Sequence, residues 1–131
     1  MERDALAPMA IGAFVVAAIA AGLTITGGPL SARAEKRDMA RLADLRKLQA
    51  AVTCRTDQDK GLPDDLTAAS LCDDAAPLSN PVTGESYKYE KLSETTYRLC
   101  AEFERPELMT DFDLGSAQWQ SADRCFVVIR K

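Results

Sequence analysis

A chain of 131 residues holds one domain, with room for an appended segment. Its formal charge of −4 is unevenly spread: residues 1–30 sum to −1, residues 31–56 to +4 and residues 57–131 to −7, so the acidic carboxyl-terminal part would repel nucleic-acid phosphate. There is no histidine, which excludes Ser-His-Asp and Cys-His catalysis and every imidazole metal site.

From Ala5 to Leu30, ALAPMAIGAFVVAAIAAGLTITGGPL, no side chain is charged. About 20 apolar residues cross the ~30 Å hydrocarbon core of a bilayer. The run therefore predicts one transmembrane helix, Pro8 to Thr26, ended by Gly27-Gly28-Pro29. Ala32-Arg33-Ala34 offers the A-x-A pattern of a signal-peptide cleavage site. The apolar core of a signal peptide is only about 7–15 residues long, so a retained anchor is the expectation. Within the span Ala13, Ala17 and Ala21 recur at spacing four, with Ala18 and Gly22 beside them. Small residues at that spacing let another helix approach closely, although they equally suit a plain alanine-rich anchor. No residue of the span is ionisable, which excludes an ion or proton pathway.

Two signals disagree about sidedness. Arg33, Lys36, Arg37, Arg41, Arg46 and Lys47 follow the span closely, against Arg3 before it, and the positive-inside rule would leave the following domain in the cytoplasm. Four cysteines, Cys54, Cys72, Cys100 and Cys125, lie in that domain without any C-x-x-C spacing. That leaves neither a thioredoxin-like motif nor paired zinc ligands. Two structural disulfides need an oxidising compartment, and the short amino-terminal tail gives the charge rule little to act on. The expectation is a single-pass membrane protein with its carboxyl-terminal domain on the oxidising, extracytoplasmic side. Three connectivities are open; Cys54–Cys72, from helix end to loop, and Cys100–Cys125, between strands, are favoured. Four free thiols in a cytoplasmic domain are the alternative.

After the glycines, SARAEKRDMARLADLRKLQAAVTCR predicts one long helix with Ser31 as N-cap. Met39, Leu42, Leu45, Leu48 and Val52 form its apolar stripe. Its basic face is either solvated or apposed to acidic lipid. Gly61 and Pro63 end that helix and begin a short one over LPDDLTAASLC. Asn80-Pro81 and Thr83-Gly84 are turn chemistry that launches a first strand, Ser86 to Lys91. A second strand runs from Thr96 to Glu104, with Tyr97, Leu99, Ala101 and Phe103 on one face and Arg98, Cys100 and Glu102 on the other. CFVVIRK closes the chain as a third. The expected class is α+β: a transmembrane helix (domain 1–30), then a domain of residues 31–131 in which a three-stranded antiparallel sheet covers the stripe of the long helix. Trp119 is either an exposed contact or, the preferred reading, part of the core under the sheet.

The phrase Leu62-Pro63, then Asn80-Pro81, Gly84, Tyr87 and Tyr89 resembles the L-P…(D/N)-P-x-x-G-x-x-Y-x-Y segment of the major pseudopilins of type II secretion. Ala43-Asp44-Leu45, the strand Tyr97 to Phe103, and Trp119 with Cys125-Phe126 are similar to a group of small bacterial inner-membrane proteins. The likeness covers residues 38 to 128. It implies a pseudopilin-like domain, but the prepilin-peptidase site and the glutamate inside the apolar run are missing, which implies a permanent anchor instead of a polymerising subunit. Major pseudopilins bind calcium in a loop near the end of the sheet. The matching stretch, residues 104–116, contains Glu107, Asp111 and Asp113, oxygen donors of the kind calcium takes. Acids in a loop of an acidic domain are ordinarily just solvated, so no metal or cofactor is assigned.

Function is legible only as a class. Asp64-Asp65 and Asp73-Asp74 are the carboxylate clusters, without a partner base or a phosphate-binding loop, and Ser31, Ser70 and Ser121 have no histidine to activate them. The chain is expected to be no enzyme. It is expected to be an anchored, extracytoplasmic accessory or assembly subunit that docks on an integral membrane complex through its span and head. The alternative is a pseudopilin-related component of a secretion or pilus-like machine, and fold likeness alone is a thin warrant for that.

Overall fold

The computed structural model describes residues 2–67, 72 and 76–130, and the chain divides into two compact units, Met1–Ala34 and Glu35–Lys131.

In the first unit, helix α1 runs Glu2–Thr26. Pro8 lies inside it, near the start, where the missing N–H forfeits one hydrogen bond of the first turns. Gly27 stops the helix at φ 79°, a left-handed conformation that glycine adopts without a Cβ penalty. A Cβ at that position would lie 2.9 Å from the Ser31 hydroxyl oxygen, so the turn has no room for another residue. Helix α2, Gly28–Asp59, restarts at once. Ser31 is therefore not its N-cap but sits in its first turn, and Pro29 occupies an early position where no N–H is needed.

In the second unit, a four-stranded antiparallel sheet packs on α2. The strands are β1 (Lys88–Lys91), β2 (Thr96–Cys100), β3 (Gln118–Gln120) and β4 (Cys125–Ile129), in the spatial order β1-β2-β4-β3. The sequence expected three strands. The additional one, β3, is three residues long with one inward side chain, too short to show alternation. Register places Tyr89 opposite Leu99, Leu99 opposite Phe126, and Phe126 opposite Trp119. One row of large apolar side chains thus crosses all four strands and faces the helix. Side chains alternate across a strand, so the neighbouring row, Lys88, Cys100, Cys125 and Gln120, belongs to the outer face.

The core is this inner face together with Leu42, Leu45, Leu48, Ala51 and Val52 of α2, and with Leu62, Met109 and Leu114 from the connections. Trp119 packs against it half-buried, edge-on to Phe103 (ring centroids 5.4 Å) and tilted on Phe126 (4.6 Å). Four of the five expected stripe residues are buried. Met39 is not: it is 44% exposed, and Asp38 and Arg41 take the inward positions instead.

Other boundaries differ for local reasons. Strand β1 starts at Lys88 instead of Ser86, because Ser86 is held in a separate bridge to Ser79. Strand β2 stops at Cys100 instead of reaching Glu104, since the N–H groups of Glu104 and Arg105 are taken by the Asp38 carboxylate. The short helix expected from Leu62 is not formed over 61–67, which are bends and irregular chain; residues 68–71 lie outside the described ones.

Candidate functional site

The most chemically loaded part of the second unit is a cluster of charges where α2 meets the end of β2. A charge buried alone is costly, so buried ions survive only when paired and hydrogen-bonded. Asp38 has no exposed side-chain surface and uses both oxygens: Oδ1 accepts from Arg41 Nη1 at 2.9 Å and from the Glu104 N–H at 2.9 Å, and Oδ2 accepts from the Arg105 N–H at 2.7 Å. Arg41 also donates to Glu104 at 3.0 Å, while Arg37 grips both Glu104 oxygens at 2.7 Å. The fork of a guanidinium fits two carboxylate oxygens, which makes this the strongest type of ion pair. The two arginines hold the Glu104 carboxyl far below its ordinary range, at about 2, chiefly through the Arg37 hydrogen bond. The Glu85 carboxylate stands 3.4 Å from Arg41 Nε, close enough for attraction, though neither atom makes a hydrogen bond among the described residues.

The turn phrase that carried the resemblance forms a second fastening beside it. Asn80 is buried, and its side-chain oxygen accepts the N–H of Val82 at 2.9 Å and of Thr83 at 3.3 Å. Its backbone bonds Gly84 and Glu85, both at 2.8 Å. Gly84 turns the chain at φ 75°. The tyrosines then reach away from the strand: Tyr87 donates to Asp44 of α2 at 2.5 Å, and Tyr89 donates to the Pro63 carbonyl at 2.6 Å. Burial, followed by the Asp44 carboxylate, raises the Tyr87 phenol well above its usual value; burial pushes Tyr89 up to about 12. Both phenols are therefore neutral donors, and the phrase clamps the first strand to helix and loop.

The four cysteines lie in two pairs at disulfide distance, Cys54–Cys72 and Cys100–Cys125, the connectivity the sequence favoured. Cys54 and Cys72 are exposed; Cys100 and Cys125 lie opposite each other on β2 and β4, 9% and 3% exposed. The second pair floors a depression of about 800 Å³ on the outer face of the sheet. The arginines there are engaged by their neighbours, Arg98 with Glu90 and Asp123 and Arg124 with Glu102.

The acids of the 104–116 loop are each used locally. Glu107 pairs with Arg105, Asp111 accepts the Trp119 N–H at 2.7 Å, and Asp113 accepts the Thr110 N–H at 2.6 Å. Among the described residues no three metal-binding side chains converge. Asp64 faces Lys91 at 3.4 Å, and Asp73 and Asp74 lie outside the described residues.

In the first unit Ala13, Ala17, Ala21 and Gly22 are all exposed along α1, with open space where a Cβ at Gly22 would stand. The helix is long and apolar enough to cross a membrane, and none of its apolar window is buried. The charge cluster is the feature that sequence reasoning missed. Its one local signal is Asp38 and Arg41, opposite charges three apart on a helix.

No protein-family model, no curated protein and no solved structure matches the chain.

Proposed function

We propose that this is a single-pass, membrane-anchored interaction protein: a non-catalytic accessory or assembly subunit of a larger inner-membrane complex, with its carboxyl-terminal domain in the periplasm. The observation that carries this reading is α1, on which Leu6, Met9, Ile11, Phe14, Val16 and Ile19 are all exposed. A contiguous apolar surface of that kind needs lipid or another helix to cover it. The two cysteine pairs support an oxidising compartment for the second unit. The many fastenings among α2, the turn phrase and the sheet fit a rigid body that presents a surface.

The test is gentle detergent extraction from native membranes, followed by mass spectrometry of what co-migrates. A stoichiometric polytopic enzyme or transporter is the expected result. Recovery of the protein alone, or only in the soluble fraction, would overturn the proposal. A second reading, a pseudopilin-related component of a secretion or pilus-like machine, is favoured by the order of long helix followed by antiparallel sheet. Secretion or pilus subunits among the co-migrating proteins would select it.

A further inference from the structure

We propose that Phe112 is the anchor of a protein-docking surface on the loop from Pro106 to Gly115, and that it fits an apolar pocket with a basic rim on a partner protein. The proposal rests on the interaction role given above and names the surface that performs it.

Phe112 is 88% exposed, the most exposed large apolar side chain among the described residues. A phenylalanine on a loose loop would need no explanation. This loop is fastened on both sides of it. Met109, Leu114 and Ala117 are sunk in the core. The Asp113 N–H closes a turn on the Thr110 carbonyl at 3.2 Å, and the Asp113 carboxylate takes the Thr110 N–H and hydroxyl. Arg46 of α2 donates twice to the Asp113 carbonyl, at 3.0 and 2.9 Å. On the other side of Phe112, Asp111 is tied to the backbone of Trp119 in β3.

The residues on either side of Phe112 are thus held by the core or by hydrogen bonds, while its own side chain points into solvent. Its position is set before any partner arrives, so binding would not have to order the loop, which is one of the main costs of association. Rigid, exposed aromatic side chains are the typical energetic centres of protein interfaces. Leu108, four residues earlier and 41% exposed, adds apolar area.

Charge decides the kind of partner. The carboxylates of Asp111 and Asp113, on either side of Phe112, are held by neutral N–H and O–H donors, and no ion pair engages them among the described residues. Residues 57–131 sum to −7. An anionic lipid surface would be repelled, whereas a pocket with lysine or arginine at its rim is complementary.

The experiment uses the full chain in native membranes. A photo-crosslinking amino acid replaces Phe112, with the same replacement at Val82, an 86% exposed turn residue, as control. In parallel, Phe112→Ala is compared with wild type for recovery of the co-migrating subunit. The expected result is a crosslink from position 112, and not from 82, to a single protein, at a peptide carrying apolar residues and at least one lysine or arginine. Phe112→Ala should lower recovery of that subunit by about tenfold or more without changing the melting temperature. Crosslinks to lipid, or full recovery of the subunit with Phe112→Ala and no crosslink from 112, would overturn the docking surface while leaving the interaction role intact. Absence of any co-migrating subunit with wild type would sink both.

Discussion

Asp38 and Arg41 lie one turn apart on the buried face of α2, hydrogen-bonded at 2.9 Å with 0% and 3% of their side chains exposed. Asp38 also satisfies the two N–H groups that follow the end of β2. Asp38→Ala takes from the buried Arg41 guanidinium its only fully buried partner, leaving it Glu104 at the rim, and leaves the Glu104 and Arg105 N–H groups without their acceptor. It is expected to destabilise the protein by about 3–5 kcal/mol, measured by chemical denaturation in detergent. In a simple buried ion pair, replacing both partners by apolar residues recovers most of such a loss. Here Asp38→Leu with Arg41→Met is expected to remain destabilised, because the Glu104 and Arg105 N–H groups stay unpaired. Full recovery in the double variant would show that the backbone contacts contribute little.

Glu104 gives the cluster a pH dependence with a definite sign. Its carboxyl is lowered from 4.5 to about 2 in the folded protein, chiefly by Arg37 and then by Arg41. A depressed acid stabilises the fold above its unfolded value and loses that contribution as pH falls toward its folded value. The melting temperature of wild type should therefore drop between pH 4.5 and about 2, with Glu104→Gln showing a shallower drop. Parallel curves for the two proteins would contradict this.

This cluster was the least legible part of the sequence, and the reason is physical. A periodicity count treats charges on a helix as solvated, which puts Asp38 and Arg41 outward and their neighbour Met39 inward. What turns them inward is Glu104, 66 residues after Asp38, together with the backbone beside it, and no local pattern reports a contact at that distance. The rest of α2 was readable because Leu42, Leu45, Leu48 and Val52 repeat with the helix. Strands β1, β2 and β4 were readable because their apolar residues alternate or run together between turns. Strand β3 was not, since three residues carry no period. The disulfide connectivity was legible only as a preference among three, for joining a helix end to its loop and one strand to its neighbour.

The Tyr87–Asp44 bond ties β1's leading turn to α2 across 43 residues. Tyr87→Phe should cost about 1–2 kcal/mol, a hydrogen bond to a charged acceptor being worth more than a neutral one. Tyr87→Phe with Asp44→Ala should cost less than the sum of the two single changes. A double-mutant cycle in urea reads the coupling directly, and strict additivity would show the contact to be energetically idle.

Gly84 occupies a left-handed conformation, φ 75°, with open space around it. Gly84→Ala therefore meets no clash, and its cost is conformational, about 1 kcal/mol. Gly84→Asn, which tolerates this region better, should cost less. The order of the two melting temperatures is the test, and a reversed order would refute the conformational account.

The two cysteine pairs differ in access. Thiol attack on a disulfide needs an approach path to sulfur, and Cys54–Cys72 is exposed whereas Cys100–Cys125 is nearly covered. Graded reduction of the native protein, followed by alkylation and peptide mass mapping, should label Cys54 and Cys72 first. Simultaneous labelling of all four would mean that the sheet opens as easily as the loop.

The placement of Cys100 directly opposite Cys125, with Cα atoms 4.1 Å apart, bears on how the chain reaches its fold. Slipping one strand past its neighbour by a single residue sends every side chain to the other face, and the two sulfurs would then lie on opposite sides of the sheet. The bond closes only in the alignment that also brings Leu99 across from Phe126. Closure of this pair is thus conditional on strand register: once made, the bond holds β2 and β4 in the one alignment that also assembles the inner row of the core.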